Sequence, residues 1–391
     1  MTDTLPAAAW TQREDLAALV AALDPAHVGN CRWVGGAVRD TLLGLAVKDI
    51  DMATSLLPDE VVARLDAAGI RALPTGIAHG TITAVLPGGP AEVTTLRRDV
   101  TTDGRHATVA FSSDWQEDAS RRDFTINALY ADPRTLALTD FFGGRADLAA
   151  RRVRFIGDPE ARIREDYLRI LRYFRFQARY GAMPADAAAE QACAALAPGL
   201  KGLSRERVGW ELMRLLAHPD PAPTVSRMAE LGVLAMVLPE ADPAALPALI
   251  TAETREHVAA DPLRRLAALL PADPSLAESV AARLRLSGAQ KKRLACAVVR
   301  ETGDPRALAY RLGLIEASDR LLIAGESLAP LAGWTPPQFP LKGGAIVARG
   351  VSAGPAVART LRKVEDQWIA EGFPDDARIA QLLDTALSLP G

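Results

Sequence analysis

Residues 35–54 read GGAVRDTLLGLAVKDIDMAT, and within them Asp49 and Asp51 stand two apart. In an extended segment successive side chains alternate between faces, so the two carboxylates project to one side while Ile50 and Met52 face inward. Two hard oxygen donors on one face suit Mg2+, which keeps its remaining positions for water and substrate phosphates. A pair of such ions can clamp the attacking and leaving oxygens of an in-line displacement. Just upstream, Trp33 and Val34 read as a short strand, and Gly35 and Gly36 permit a positive-φ turn that brings backbone close to a ligand. A helix from Ala37 to Leu43 then offers free amides, with Arg39 one turn inside to fork onto a phosphate. Together these residues suit phosphoryl or nucleotidyl transfer. A Gly-Gly pair alone is usually just a turn and Asp-x-Asp a solvated strand end; their order and spacing make them specific.

GGAVRD followed by KDIDMAT resembles motif A of the class II tRNA nucleotidyltransferase and poly(A) polymerase family. RRDFTINAL at Arg121 to Leu129 resembles the family's ribose-reading motif B, and EDYLRILRYFRF at Glu165 to Phe176 resembles its template motif D. Arg207 and Glu211 fit the RxxxE of motif E. Beyond motif E the likeness is loose, limited to stretches such as LKGGAIVARGVSAGP, where relatives often carry an aspartate in place of Ala345. The resemblance implies an α+β chain: a polymerase-β-like, mixed-sheet nucleotidyltransferase head followed by an all-helical neck, body and tail. It implies Mg2+-dependent, template-independent addition of C, C and A to tRNA 3′ ends from CTP and ATP, with release of pyrophosphate. Metal would sit on Asp49 and Asp51. The triphosphate would meet Gly35, Gly36 and Arg39, and the nucleotide Arg122, Arg172 and Arg175. Asp123 would face the ribose hydroxyls or, more plainly, cap a helix. Glu165 would position the base readers described next. Glu92, on the strand AEVTT, matches a third carboxylate, as metal ligand or as base toward the RNA 3′ hydroxyl, if its strand lies beside that of Asp51.

On a helix from Asp166 to Tyr180, Tyr167, Ile170, Leu171, Phe174 and Ala178 fall on one side. Asp166, Arg169, Arg172, Arg175 and Arg179 fall on the other, predicting one buried face and one arginine ladder. Asp166 and Arg169 are open to two readings: an i,i+3 ion pair on a solvated helix, or a reader of bases. Cytosine and adenine each present an amino donor beside an unprotonated ring nitrogen. A carboxylate beside a guanidinium complements that order, and uracil and guanine present the reverse.

The partners implied are tRNA, through its 3′ acceptor end and elbow, with CTP and ATP; neither DNA nor membrane is expected. With 391 residues and 49% hydrophobic content, the chain can build more than one core. No apolar run approaches a membrane span, and Cys31, Cys193 and Cys296 show no metal or paired spacing, which suggests reduced core thiols and a cytoplasmic protein. A net charge of −3 argues against a protein that coats nucleic acid indiscriminately, so RNA contact must come from a local basic face. Only six of the 45 cations are lysine, so arginine clusters count for less than usual. Five histidines form neither a His-Asp doublet nor metal spacing. An added phosphohydrolase domain is therefore not expected, and His79 reads as part of a turn.

Positioning these residues requires a small mixed sheet. RWV, DIDMAT, GTITAVLP, AEVTTLR, NALYAD and LALTDFF read as strands, with PGGP turning a hairpin. Residues 99–116 read as a mobile loop holding DGRHA; a loop at this place in the family serves the switch from C to A. After Ile156 the pattern changes to amphipathic helices with proline breaks, expected to pack continuously behind the sheet. The expected order is an N-terminal helical segment over 1–24, the catalytic head over 25–155, a helical neck for base recognition and RNA binding over 156–265, and a tRNA-binding body and tail over 266–391. The rivals are a poly(A) polymerase of the same family and a catalytically silent RNA-binding relative.

Overall fold

Six segments with alternating or continuous apolar residues become strands of one seven-stranded sheet in the computed structural model, which describes residues 3–103 and 106–388. The strands are β1 (Cys31–Val34), β2 (Ile50–Thr54), β3 (Arg71–Gly76), β4 (Thr81–Val85), β5 (Ala91–Thr95), β8 (Leu129–Ala131) and β9 (Leu138–Asp140). Their order is β3-β4-β5-β2-β1-β8-β9, antiparallel throughout except for the parallel pair β2 and β5. The seventh strand, β3, escapes the sequence pattern because it is an edge strand without a buried face and carries Pro74.

Residues 99–116 are not an irregular loop. β6 (Arg97–Asp103) and β7 (His106–Phe111) pair antiparallel as a separate two-stranded ribbon, and the helix α4 (Trp115–Ser120) follows. Threonine and valine in DVTTD and ATVAF have the β-branched character that favours an extended backbone. Gly104 and Arg105 of DGRHA lie outside the described residues. His79 ends a short 3-10 turn closed by Gly80 at φ +78°, as its surroundings suggested.

Around the sheet run α1 (Glu14–Leu23), α2 (Gly36–Leu42), α3 (Pro58–Ala67) and α5 (Gly144–Ala149). Six later helices continue in the same unit: α6 (Pro159–Glu165), α7 (Leu168–Tyr180), α8 (Ala187–Leu196), α9 (Arg205–Leu216), α10 (Ala222–Glu230) and α11 (Val233–Val237), with a 3-10 segment at Ala197–Gly202. An aromatic cluster joins sheet and helices. Phe155 stacks on Tyr173 of α7 with centroids 5.7 Å apart, and Phe124 sits 5.0 Å from both Phe155 and Phe176. Phe124, Phe155 and Tyr173 are fully buried, so α7 is fixed against the segment that carries Arg122 and Asp123.

The chain divides into two compact units, Met1–Pro239 and Glu240–Gly391. Helices up to α11 fall in the first unit with the sheet, and the later ones in the second. Within that second unit, Arg264 and Arg265 of α13 (Pro262–Leu269) are buried and bonded to Glu253 of α12 (Leu246–Arg255). Arg264 also bonds Asp319. A separate apolar cluster around Trp368 gathers Ile346, Val364, Ile379 and Leu383. Among the described residues no helix is long and apolar enough to cross a membrane.

Candidate active site

β2 carries Asp51 at the centre of the sheet, with Ile50 and Met52 buried behind it as the alternation predicts. Glu92 lies directly opposite Asp51 in the parallel β2–β5 register, so the adjacency that its role requires is present. Burial, reinforced by the Glu92 carboxylate, pushes Asp51 up to about 6, against the pull of Arg122; Asp49 adds to the upward push. In a site this rich in arginine, no ion pair reaches Asp49, Asp51 or Glu92 among the described residues. Uncompensated carboxylates that repel one another are what a divalent cation relieves. No group of three metal-capable side chains is close enough to hold an ion by itself among the described residues. A cation bound here would need water or substrate oxygens to complete its shell.

The turn before α2 is built as the glycines suggest. Gly35 has φ +68°, and a β-carbon there would come within 4 Å of Arg122 and Asp51. Arg39 is buried and aimed by three neighbours. It pairs with Asp40 at 2.7 Å, donates to Asn127, and lies over the Tyr180 ring at 4.1 Å.

A cavity of about 400 Å³ gathers nine of the expected residues: Gly35, Gly36, Arg39, Asp51, Arg122, Asp123, Asp166, Arg169 and Arg172. A second cleft of about 280 Å³ shares Gly36, Arg39 and Asp51 with the first and adds Asp49 and Arg175. Glu92 lines neither. The arginine-ladder reading of α7 needs correction. Arg175 is only 7% exposed, bonded to Glu211 at 2.6 Å and packed on Phe176, and Tyr173, Phe176 and Gln177 are buried too. The polar side of α7 faces cavities and α9 rather than solvent, because charges there are neutralised by carboxylates from other elements.

Asp166 and Arg169 do not pair with each other. Arg207 of α9 holds Asp166 at 2.6 Å, while Glu165 and the carbonyl of Arg162 hold Arg169. An acceptor and a donor thus line one cavity, each fixed by a different partner. Asp123 accepts from Arg172 at 2.9 Å and from Asn127 at 2.9 Å; burial raises it, but Arg172 and Asn127 outweigh that and keep its carboxyl well below the usual range. Arg172 also lies 3.7 Å from Glu211, whose Oε1 accepts no hydrogen bond.

The sequence reading missed five participants. Arg121, Asn127 and Phe176 line the main cavity, and Asp118 of α4 holds Arg121, Arg122 and the Tyr130 hydroxyl within 3.0 Å. Asp118 stands i,i+3 and i,i+4 to its two arginines, a legible helical spacing; Asn127 meets Arg39 only through the tertiary fold. Arg162, also overlooked, chelates Glu165 at 2.7 Å and donates to the carbonyl of Arg122 at 2.8 Å. Burial raises Asp118, but Arg122, Arg121 and Tyr130 outweigh it and hold the carboxyl at about 2. A depressed pKa contributes stability above the unfolded value near 3.8 and loses it as pH falls toward 2. Asp118→Asn should therefore lose about 2 kcal/mol near neutral pH. Urea denaturation across pH should show a correspondingly weaker decline between pH 4 and 2 than in the wild type.

Residues 31–154 match the family described as "Poly A polymerase head domain", and residues 185–245 match "Probable RNA and SrmB- binding site of polymerase A". The mouse protein "CCA tRNA nucleotidyltransferase 1, mitochondrial" is 36% identical over 380 residues, covering 88% of this chain and 83% of its own. The chain belongs to the family of CCA-adding tRNA nucleotidyltransferases and poly(A) polymerases. Within that family, the "CCA-adding enzyme" of Geobacillus thermodenitrificans is 41% identical over 210 residues, 53% of this chain and 50% of that one. The crystal structure of the Bacillus stearothermophilus CCA-adding enzyme in complex with CTP superposes with a TM-score of 0.74 at 25% identity, over 96% of this chain and 98% of that one. The mixed-sheet head followed by helices is the fold of these enzymes.

Proposed function

We propose that the chain adds C, C and A to tRNA 3′ ends from CTP and ATP and releases pyrophosphate. The observation that carries this reading is the cavity wall on which Asp166 and Arg169, held apart by Arg207 and Glu165, face the same space as Asp51. Asp166 accepts from the amino group of cytosine or adenine and Arg169 donates to the adjoining ring nitrogen, so side chains select the base where no template strand is present. Arg39 and the backbone at Gly35 and Gly36 take the triphosphate, and Arg122 and Arg172 the rest of the nucleotide. Asp123 turns to the ribose. Arg175, bonded to Glu211, acts by holding α7 rather than by touching the nucleotide. Asp49 and Asp51 would hold Mg2+, with Glu92 beside them. When bound, the metal supplies charge neutralisation on the reacting phosphate and a more acidic 3′ hydroxyl.

Residues 25–155 serve as the catalytic head, 156–265 as the neck that reads the base, and 266–391 as body and tail. These last grip the tRNA through phosphates and shape. The mouse relative is named mitochondrial; for this chain, three free cysteines support a reducing compartment, which we take to be the cytoplasm. The deciding experiment supplies tRNA lacking its last three nucleotides with labelled CTP and ATP. Extension by three residues and a stop is the expected result. A long A ladder would establish polyadenylation instead, and no product would leave an RNA-binding protein without catalysis.

A further inference from the structure

Helix α9 carries Arg207, Trp210 and Arg214 at i, i+3 and i+7, along one face. Arg207 is bonded to Asp166 on the wall of the main cavity, and Arg214 lines the second cleft together with Lys48, Asp49 and Asp51. Trp210 stands between them along the helix, beside the Arg214 that lines the carboxylate cleft. It is 55% exposed, and the Arg214 guanidinium lies over its ring at 4.3 Å from the centroid. A tryptophan this open serves no core. The guanidinium fixes the orientation of the ring, so less freedom is lost when something stacks on it.

The charges around it point to the occupant. In the same cleft Arg39 and Arg179 pair with Asp40, and Arg175 pairs with Glu211. Arg214 and Lys48 have no carboxylate partner among the described residues. An exposed aromatic ring under Arg214, with Lys48 lining the same cleft as that arginine, matches single-stranded RNA, whose bases stack on aromatic faces while its phosphates seek Lys and Arg. A strand that delivers its 3′ hydroxyl to Asp49 and Asp51 must enter by the cleft those carboxylates line.

We infer that Trp210 and Arg214 form a stacking platform for an unpaired base at the 3′ end of the RNA, with Lys48 and Arg214 taking adjoining phosphates. This rests on the function proposed above. The test compares the full-length wild type with Trp210→Ala and Trp210→Phe in two measurements. One is equilibrium binding of tRNA lacking its terminal CCA, without nucleotide; the other is initial rates at varied RNA and at varied CTP.

Trp210→Ala should weaken RNA binding and raise KM for RNA by roughly tenfold, with a smaller change in KM for CTP, and Trp210→Phe should recover most of the loss. Unchanged RNA binding by Trp210→Ala would overturn the inference. Equal rises in both KM values would do so too, since they would indicate general damage to the site. Binding is read without turnover, so the two conclusions fail separately. A wild type that binds RNA through Trp210 but incorporates no nucleotide refutes the proposed activity and leaves the platform standing; CCA addition that survives intact in Trp210→Ala does the reverse. A wild type that does not bind the RNA overturns both.

Discussion

Asp51→Asn should abolish nucleotide incorporation without unfolding the protein. A metal that stabilises the transferring phosphate is worth several kcal/mol, so kcat should fall on the order of a thousandfold or more. Stability should move the other way. In the metal-free protein the Asp51 carboxyl is pushed up to about 6 by burial and by Glu92. A group whose folded pKa is raised favours folding only while protonated, and loses that contribution as pH climbs through 6. The neutral amide should therefore raise metal-free stability at pH 7 by on the order of 2 kcal/mol. Single-turnover incorporation and denaturant unfolding, both on the same protein, check the two halves. Retained incorporation would remove Asp51 from the chemistry, and lost stability would show its burial to be structural.

The second large effect concerns base choice. Asp166→Ala removes the acceptor for the amino group of C and A and leaves Arg207 without its carboxylate, while Arg169 keeps Glu165. Discrimination of CTP and ATP against UTP and GTP should then shrink by roughly ten- to a hundredfold, the range expected when one buried polar match of about 1–3 kcal/mol is lost. Arg207→Ala should produce a weaker version of the same change, because Asp166 keeps its carboxylate but loses the 2.6 Å bond that aims it. Competition assays with paired nucleotides measure both. If Arg207→Ala lowers kcat for every nucleotide equally and leaves selectivity intact, then α9 supports the fold of α7 and not the orientation of its reader.

Much of this site was legible because its chemistry is encoded in short spacings. Asp51 lies on β2 with Asp49 just before the strand, Gly35 needs a left-handed backbone, and Arg169 lies in the first turn of α7 with Asp166 just before the helix. Those local rules survive folding. What the sequence hides is who holds each charge. The i,i+3 spacing of Asp166 and Arg169 suggested a mutual pair, but Arg207, 41 residues away, claims Asp166, and Glu165, four residues back, claims Arg169. Arg175 looks solvated by periodicity and is buried because Glu211 comes from another helix to meet it. The ribbon β6–β7 was missed for a simpler reason: the polar run DVTTDGR, with a glycine in it, has the composition of a loop.

The way cations are committed around the main cavity bears on which anions can enter. Arg39, Arg122, Arg169 and Arg172 are each already engaged by an internal carboxylate. An arriving anion must out-compete aspartate or glutamate, not merely displace solvent. A lone phosphate or sulfate touches too few of these groups to succeed, whereas a chain of three phosphates engages several in concert. The expected result is preference for polyphosphate over the simple anions of a cell before any base is inspected, which competition of triphosphate against inorganic phosphate would measure.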